Sequence, residues 1–136
     1  MRMTAMDEAC GKLLQHVNGA IMCAIVDLDS GIVLAMQPAG AQSRTLGPVV
    51  VESAIKLVRG AVIGGLIASL RSEESSQTGP GYLEEAQLTT PEHCMFCRTV
   101  SQGRVLTLLV TSRDVSVGMG WAQLKALLPE FEAAVY

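Results

Sequence analysis

The chain has 136 residues, of which 49% are apolar and only 4% aromatic, and it carries a formal net charge of −3. That length suits one domain over residues 1–136, with a core built from Ala, Val, Leu, Ile and Met, and it leaves too little chain for two. The acidic balance provides no basic footprint and argues against nucleic acid as the main partner. Asp7, Glu8 and Lys12 interrupt the N-terminal region before any apolar core of a secretory signal. The longest charge-free run, between Asp29 and Arg44, contains Pro38 and falls short of the roughly 20 helical residues that span a bilayer. The expectation is a soluble cytoplasmic protein with no membrane insertion.

In chain order, Thr4 can cap a first helix with Asp7 in its opening turn, where the helix dipole favours an acid. Met6, Cys10, Leu13, Leu14 and Val17 follow at helical spacing as an apolar stripe, with Asp7, Glu8, Lys12 and Gln15 opposite. Asn18-Gly19 ends the helix, Gly19 suiting the left-handed position of a C-cap. His16, beside the stripe and without a ligand partner nearby, reads as a surface residue. Next comes GAIMCAIVDLDSGIVLAM, in which apolar runs at 20–26 and 32–36 flank Asp27, Asp29, Ser30 and Gly31. Asp and Ser supply local hydrogen bonds at a bend and Gly31 permits a positive φ, so the stretch predicts a β-hairpin. Both runs are continuously apolar, so both faces of the sheet need cover.

Residues 37–47 hold the breakers Pro38, Gly40, Ser43 and Gly47 and predict a loop. Pro48 suits a first helical turn, so a second helix is expected over 48–71. Gly60, Gly64 and Gly65 are poor helix formers, so packing must hold it. Gly60, Gly64 and Ala68 recur every four residues and form a groove that another backbone could approach. Glu52, Lys56 and Arg59 mark a solvated side of the first half; continued, that side becomes Ile63, Leu66, Ile67 and Leu70. A helix apolar nearly all round needs cover on every side, and a lone domain of this size has little to give it. A protein–protein contact is the expectation there; a drift of register, or the next loop folding over, is the alternative.

Residues 72–81, SEESSQTGPG, read as a polar connecting loop. A strand is expected over 82–90, with Tyr82, Ala86, Leu88 and Thr90 on one side and Glu85 and Gln87 on the other; its polarity suits a sheet edge. Pro91-Glu92 turns the chain into a strand at 94–100, and Ser101 to Arg104 form a hairpin loop into the central strand 105–111, VLTLLVT. A last helix over 117–134 should be kinked or interrupted at Pro129. The order helix, two strands, helix, three strands, helix predicts a three-layer α/β/α domain of the α+β class around a five-stranded, mostly antiparallel sheet.

Candidate chemistry is sparse. His93, Cys94 and Cys97 form an H-C-x-x-C group, yet on a strand the two cysteines point to opposite faces and no second ligand cluster exists. Cys10 and Cys23 read as core fillers, and four cysteines in a chain read as intracellular imply no disulfide framework. Asp27 and Asp29 are explained by the turn, since the later ligands of a calcium loop are missing. Neither His16 nor His93 partners a nucleophile, and Gly118 and Gly120 in VGMGW lack the rest of a phosphate loop. No catalytic, cofactor-binding or metal-binding residue emerges, and the chain reads as a non-enzyme that needs no cofactor.

The stretch GAIMCAIVDLDSGIVLA, the long helix after it, EEAQLTT before a hairpin, and VLTLLVTSRDVSVGMGWAQL together resemble the roadblock family of dynein light chains and its bacterial relatives. The similarity runs over residues 4–134, with the GPGY motif and the Ser-rich loop before the third strand as a departure. It implies a profilin-like fold that forms a homodimer through its third strand and second helix, giving one continuous sheet. It also implies a scaffold or regulator bound to a small Ras-like GTPase or to larger signalling and motor assemblies. Under that resemblance the dimer or partner interface falls on Lys56, Arg59, Gly60, Ile63, Gly64, Ile67 and Ala68 of the second helix and Leu88 of the third strand. Arg44, Arg59 and Arg71 lack an arginine-finger context, so any GTPase activation would act by positioning the partner's own residues. The other class is a small-molecule sensor, which would need convergent polar groups between sheet and helix; few polar residues interrupt the apolar runs.

Overall fold

The computed structural model describes residues 5–38, 41–71 and 81–135, with side chains at all of these except 38, 41–44 and 135. The expected cap at Thr4 and most of the loop expected over 72–81 lie outside them. The elements are α1 (Ala5–His16), β1 (Ala20–Asp27), β2 (Val33–Pro38), α2 (Ala41–Arg59), α3 (Ala61–Leu70), β3 (Glu85–Thr89), β4 (His93–Val100), β5 (Val105–Ser112) and α4 (Val117–Val135). The sheet is antiparallel throughout in the order β2-β1-β5-β4-β3. The two most continuously apolar strands, β1 and β5, lie side by side at its middle, where both faces exclude water.

Alternation along each strand divides the core. Cys23 and Ile25 of β1, Cys94 and Phe96 of β4 and Leu109 of β5 face α1 and α4, meeting Ala9, Cys10, Leu13, Leu124 and Phe131. Met22, Ala24 and Val26, with Cys97, Leu106 and Leu108, face Val51, Ala54 and Val58 of α2. The result is a layer of two helices, a sheet, and a layer headed by α2. The β1–β2 turn forms as its residues dictate. Asp27 Oδ1 accepts from the Asp29 N–H at 3.0 Å, Ser30 Oγ accepts from the Ile32 N–H at 3.2 Å, and Gly31 has φ +76. Gly19 also takes a positive φ, +98, where the chain leaves α1.

Three expectations need correction. The helix expected over 48–71 is two helices. The first begins at Ala41, inside the expected loop, and carries Pro48 internally; just before the proline, Gly47 is buried so close to Met36 that a Cβ there would collide with the Met36 sulfur. It stops at Gly60, which is extended at φ −70 and ψ 159, and a Cβ there would collide with the Lys56 carbonyl oxygen. The third strand starts at Glu85 rather than residue 82. Residues 81–84 still follow β4, tied where Thr99 Oγ1 donates to the Leu83 carbonyl at 2.6 Å and the Thr99 N–H to the Glu84 carbonyl at 2.9 Å, but they form no regular ladder. Helix α4 runs through Pro129 without interruption, held by buried Leu124, Leu127 and Phe131 on either side of it.

Candidate interaction surface

Helix α3, AVIGGLIASL, has no charged residue and no buried one. Val62, Leu66 and Leu70 stand one above another at i, i+4 and i+8, exposed by 86%, 53% and 74%. Ile63 and Ile67 turn half inward, and Ile67 lies against Gly81. A helix this apolar is ordinarily covered. Beyond it, β3 closes one end of the sheet order, so its outer edge pairs with no strand among the described residues. Leu88 of β3 is 44% exposed. The inner side of β3 is fastened to the fold: Trp121 Nε1 donates to Gln87 Oε1 at 2.9 Å, and Arg98 bonds Glu84 and Glu85 at 2.9 and 3.0 Å.

The residues singled out in sequence separate into distinct settings. Lys56 is exposed and pairs with Glu52 one turn earlier at 3.2 Å. Arg59 donates to Asp29 Oδ1 at 2.9 Å and to the Gly103 carbonyl at 3.2 Å, fastening the end of α2 across the turns β1–β2 and β4–β5. Gly60 is the break itself. Gly64 and Ala68 are exposed, and a Cβ at Gly64 would meet nothing within 4 Å. Sequence reasoning missed Val62, the most exposed of the ridge. Of the side continued from α2 in sequence, Leu66 and Leu70 do stand on the exposed ridge, while Ile63 and Ile67 turn half inward and Val62 takes the outward place. The signal available was the Gly60 position, one residue beyond the last charge of α2.

A cleft of about 350 Å³ lies at the α2–α3 junction, lined among others by Arg59, Gly64, Ile67, Tyr82 and Gly103. Its charged lining is Asp29, Arg59 and Arg104, of which Arg59 and Asp29 are already joined to each other. Elsewhere, Cys94 and Cys97 fall on opposite faces of the sheet, as strand alternation requires. Burial pushes the Cys97 thiol up to about 12, the reverse of what a thiolate ligand or nucleophile needs. Among the described residues no group of three or more His, Cys, Asp or Glu could hold a metal ion. Gly120 is a packing glycine, since a Cβ there would run into the Phe96 ring, whose edge-to-face partner is Trp121 at 5.2 Å. No helix among the described residues is long and apolar enough to cross a membrane.

No protein-family model and no curated protein matches the sequence. Solved structures match over nearly the whole chain. MglB of Myxococcus xanthus superposes with a TM-score of 0.73 at 16% identity, covering 98% of this chain and 97% of that one. The gliding protein MglB of Thermus thermophilus gives 0.69 at 17% identity, covering 96% and 87%. A Roadblock/LC7 domain from Streptomyces avermitilis gives 0.66 at 15% identity, covering 95% and 96%. The architecture is therefore the roadblock/LC7 fold, as the sequence resemblance implied.

Proposed function

We propose that the chain is a single roadblock-like domain acting in the cytoplasm as a non-enzymatic homodimeric adaptor or regulator. Its partner in this reading is a small Ras-like GTPase or a larger signalling or motor assembly. The observation that carries the reading is α3, a helix of ten residues without a charge and without a buried side chain. Each leucine of its ridge stands to contribute about 1.5–3 kcal/mol when fully covered. A second copy provides such cover while β3 extends the sheet across the seam, which also removes an exposed strand edge. In this reading Lys56, Arg59, Gly60, Ile63, Gly64, Ile67, Ala68 and Leu88 belong to the dimer or partner interface.

Gly64→Arg tests the assignment with little risk to the fold, because the space around Gly64 is open. A long charged side chain left unpaired in an interface costs several kcal/mol. If Gly64 lies in the dimer seam, the variant becomes monomeric with its helical signal intact. If it lies on the partner platform, the dimer persists and binding to a small Ras-like GTPase is lost. Retention of both, by Gly64→Arg and by Ile63→Asp, contradicts the reading. The small-molecule sensor finds support in the junction cleft, while core side chains fill the layers between sheet and helices among the described residues. A thermal-shift screen with nucleotides and metabolites separates the two.

A further inference from the structure

Two cysteines that read separately in sequence meet in the fold. Cys10 lies on the sheet-facing stripe of α1, and Cys23 points from β1 into the same core layer, both fully buried. The Cys23 Sγ–H donates to Cys10 Sγ at 3.3 Å. The other thiols have no such meeting: Cys97 belongs to the opposite layer, and the Cys94 contact is Thr89 Oγ1 at 4.0 Å. We propose that Cys10 and Cys23 are an oxidisable pair, a modification site whose disulfide ties α1 to the central strand β1.

The geometry asks for little movement. A disulfide needs the sulfurs at about 2 Å, so from 3.3 Å the gap to close is a little over an ångström. The bridge would enclose the turn between α1 and β1, residues thirteen apart in sequence, and withdraw conformational freedom from the unfolded chain. The oxidant is a peroxide. One thiolate attacks a peroxide oxygen, the O–O bond breaks, and a sulfenic acid and a water form. The second thiolate attacks that sulfur, the S–O bond breaks, a second water leaves and the S–S bond forms. Two S–H protons and the two-electron reduction of the peroxide balance the oxidation of the two sulfurs. The hydrogen bond with Cys10, followed by burial, holds the Cys23 thiol well above its ordinary range, so the closed protein resists attack. Reaction proceeds through molecules in which α1 has lifted locally, and the bridge then fixes it in place.

The test uses the full reduced chain, hydrogen peroxide as the probe, and iodoacetamide under denaturing conditions before peptide mass mapping. The expected result is a linked Cys10–Cys23 peptide pair with Cys94 and Cys97 alkylated, and a thermal midpoint several degrees higher that returns to the starting value with dithiothreitol. Cys10→Ser and Cys23→Ser each abolish the linked pair and the shift. Should either variant fail to fold, the wild-type map decides alone. Four alkylated cysteines after oxidation, a link involving Cys94 or Cys97, or over-oxidised Cys10 and Cys23 without a link would overturn the proposal.

Discussion

Helices α2 and α3 follow one another across a single glycine, and the more apolar of the two is the more exposed. Val51, Ala54 and Val58 of α2 are buried to within 5% of complete, while Glu52, Lys56 and Arg59 face water. Helix α3 has apolar residues on its outer ridge and buries none. An amphipathic helix takes its orientation from the sheet it covers. A helix apolar on every side is not satisfied by one sheet, and among the described residues nothing buries the outer ridge of α3. The difference separates what stabilises the fold from what is left for assembly.

The comparison breaks most easily at the core end. Phe131 is fully buried against the layer of α1 and α4, and Phe131→Ala should cost about 3–5 kcal/mol in chemical denaturation. A loss under about 1 kcal/mol would mean that this layer is far looser than its burial indicates. The junction comes next. Gly60→Ala forces a Cβ against the Lys56 carbonyl oxygen, and the backbone shift should cost about 1–3 kcal/mol while re-aiming α3. An unchanged midpoint would show that the break tolerates side chains and that α3 is not held at a fixed angle. The smallest effect belongs to the fastening of α2. Arg59→Ala removes the exposed pair with Asp29 and the bond to the Gly103 carbonyl, worth about 0.2–1 kcal/mol in solvent-screened surroundings. A larger loss would move Arg59 into the structural core of the account.

The core layers were legible because strand periodicity reaches across any distance in the fold. A continuous apolar run placed β5 at the centre, and odd spacing placed Cys94 and Cys97 on opposite faces; the equally apolar run at 32–36 nevertheless lies at the sheet edge, with Ile32 and Val33 exposed. The Asp-Ser-Gly turn was equally plain, its hydrogen bonds being local. The break at Gly60 was not. A glycine costs a helix up to about 1 kcal/mol, and whether packing absorbs that cost depends on neighbours distant in sequence. Continuing the face of α2 through Gly60 finds Leu66 and Leu70 of the outer ridge but not Val62, and it places Ile63 and Ile67 further out than they lie. The start of α2 before Pro48 is hidden because Pro48 suits a first helical turn and residues 37–47 hold several breakers, so the local signals place the start too late. The meeting of Cys10 with Cys23 depends on how far α1 slides along β1, a distance that no periodicity encodes.

The central claim, that the exposed apolar face of α3 is covered by a second copy, is tested most directly by light scattering coupled to size exclusion. The chain mass is 14.4 kDa. At micromolar concentration the wild type should scatter as about twice that mass, and Leu66→Asp, placed on the exposed ridge, should halve it without loss of helical signal. A wild type that scatters at the single-chain mass under those conditions contradicts the account.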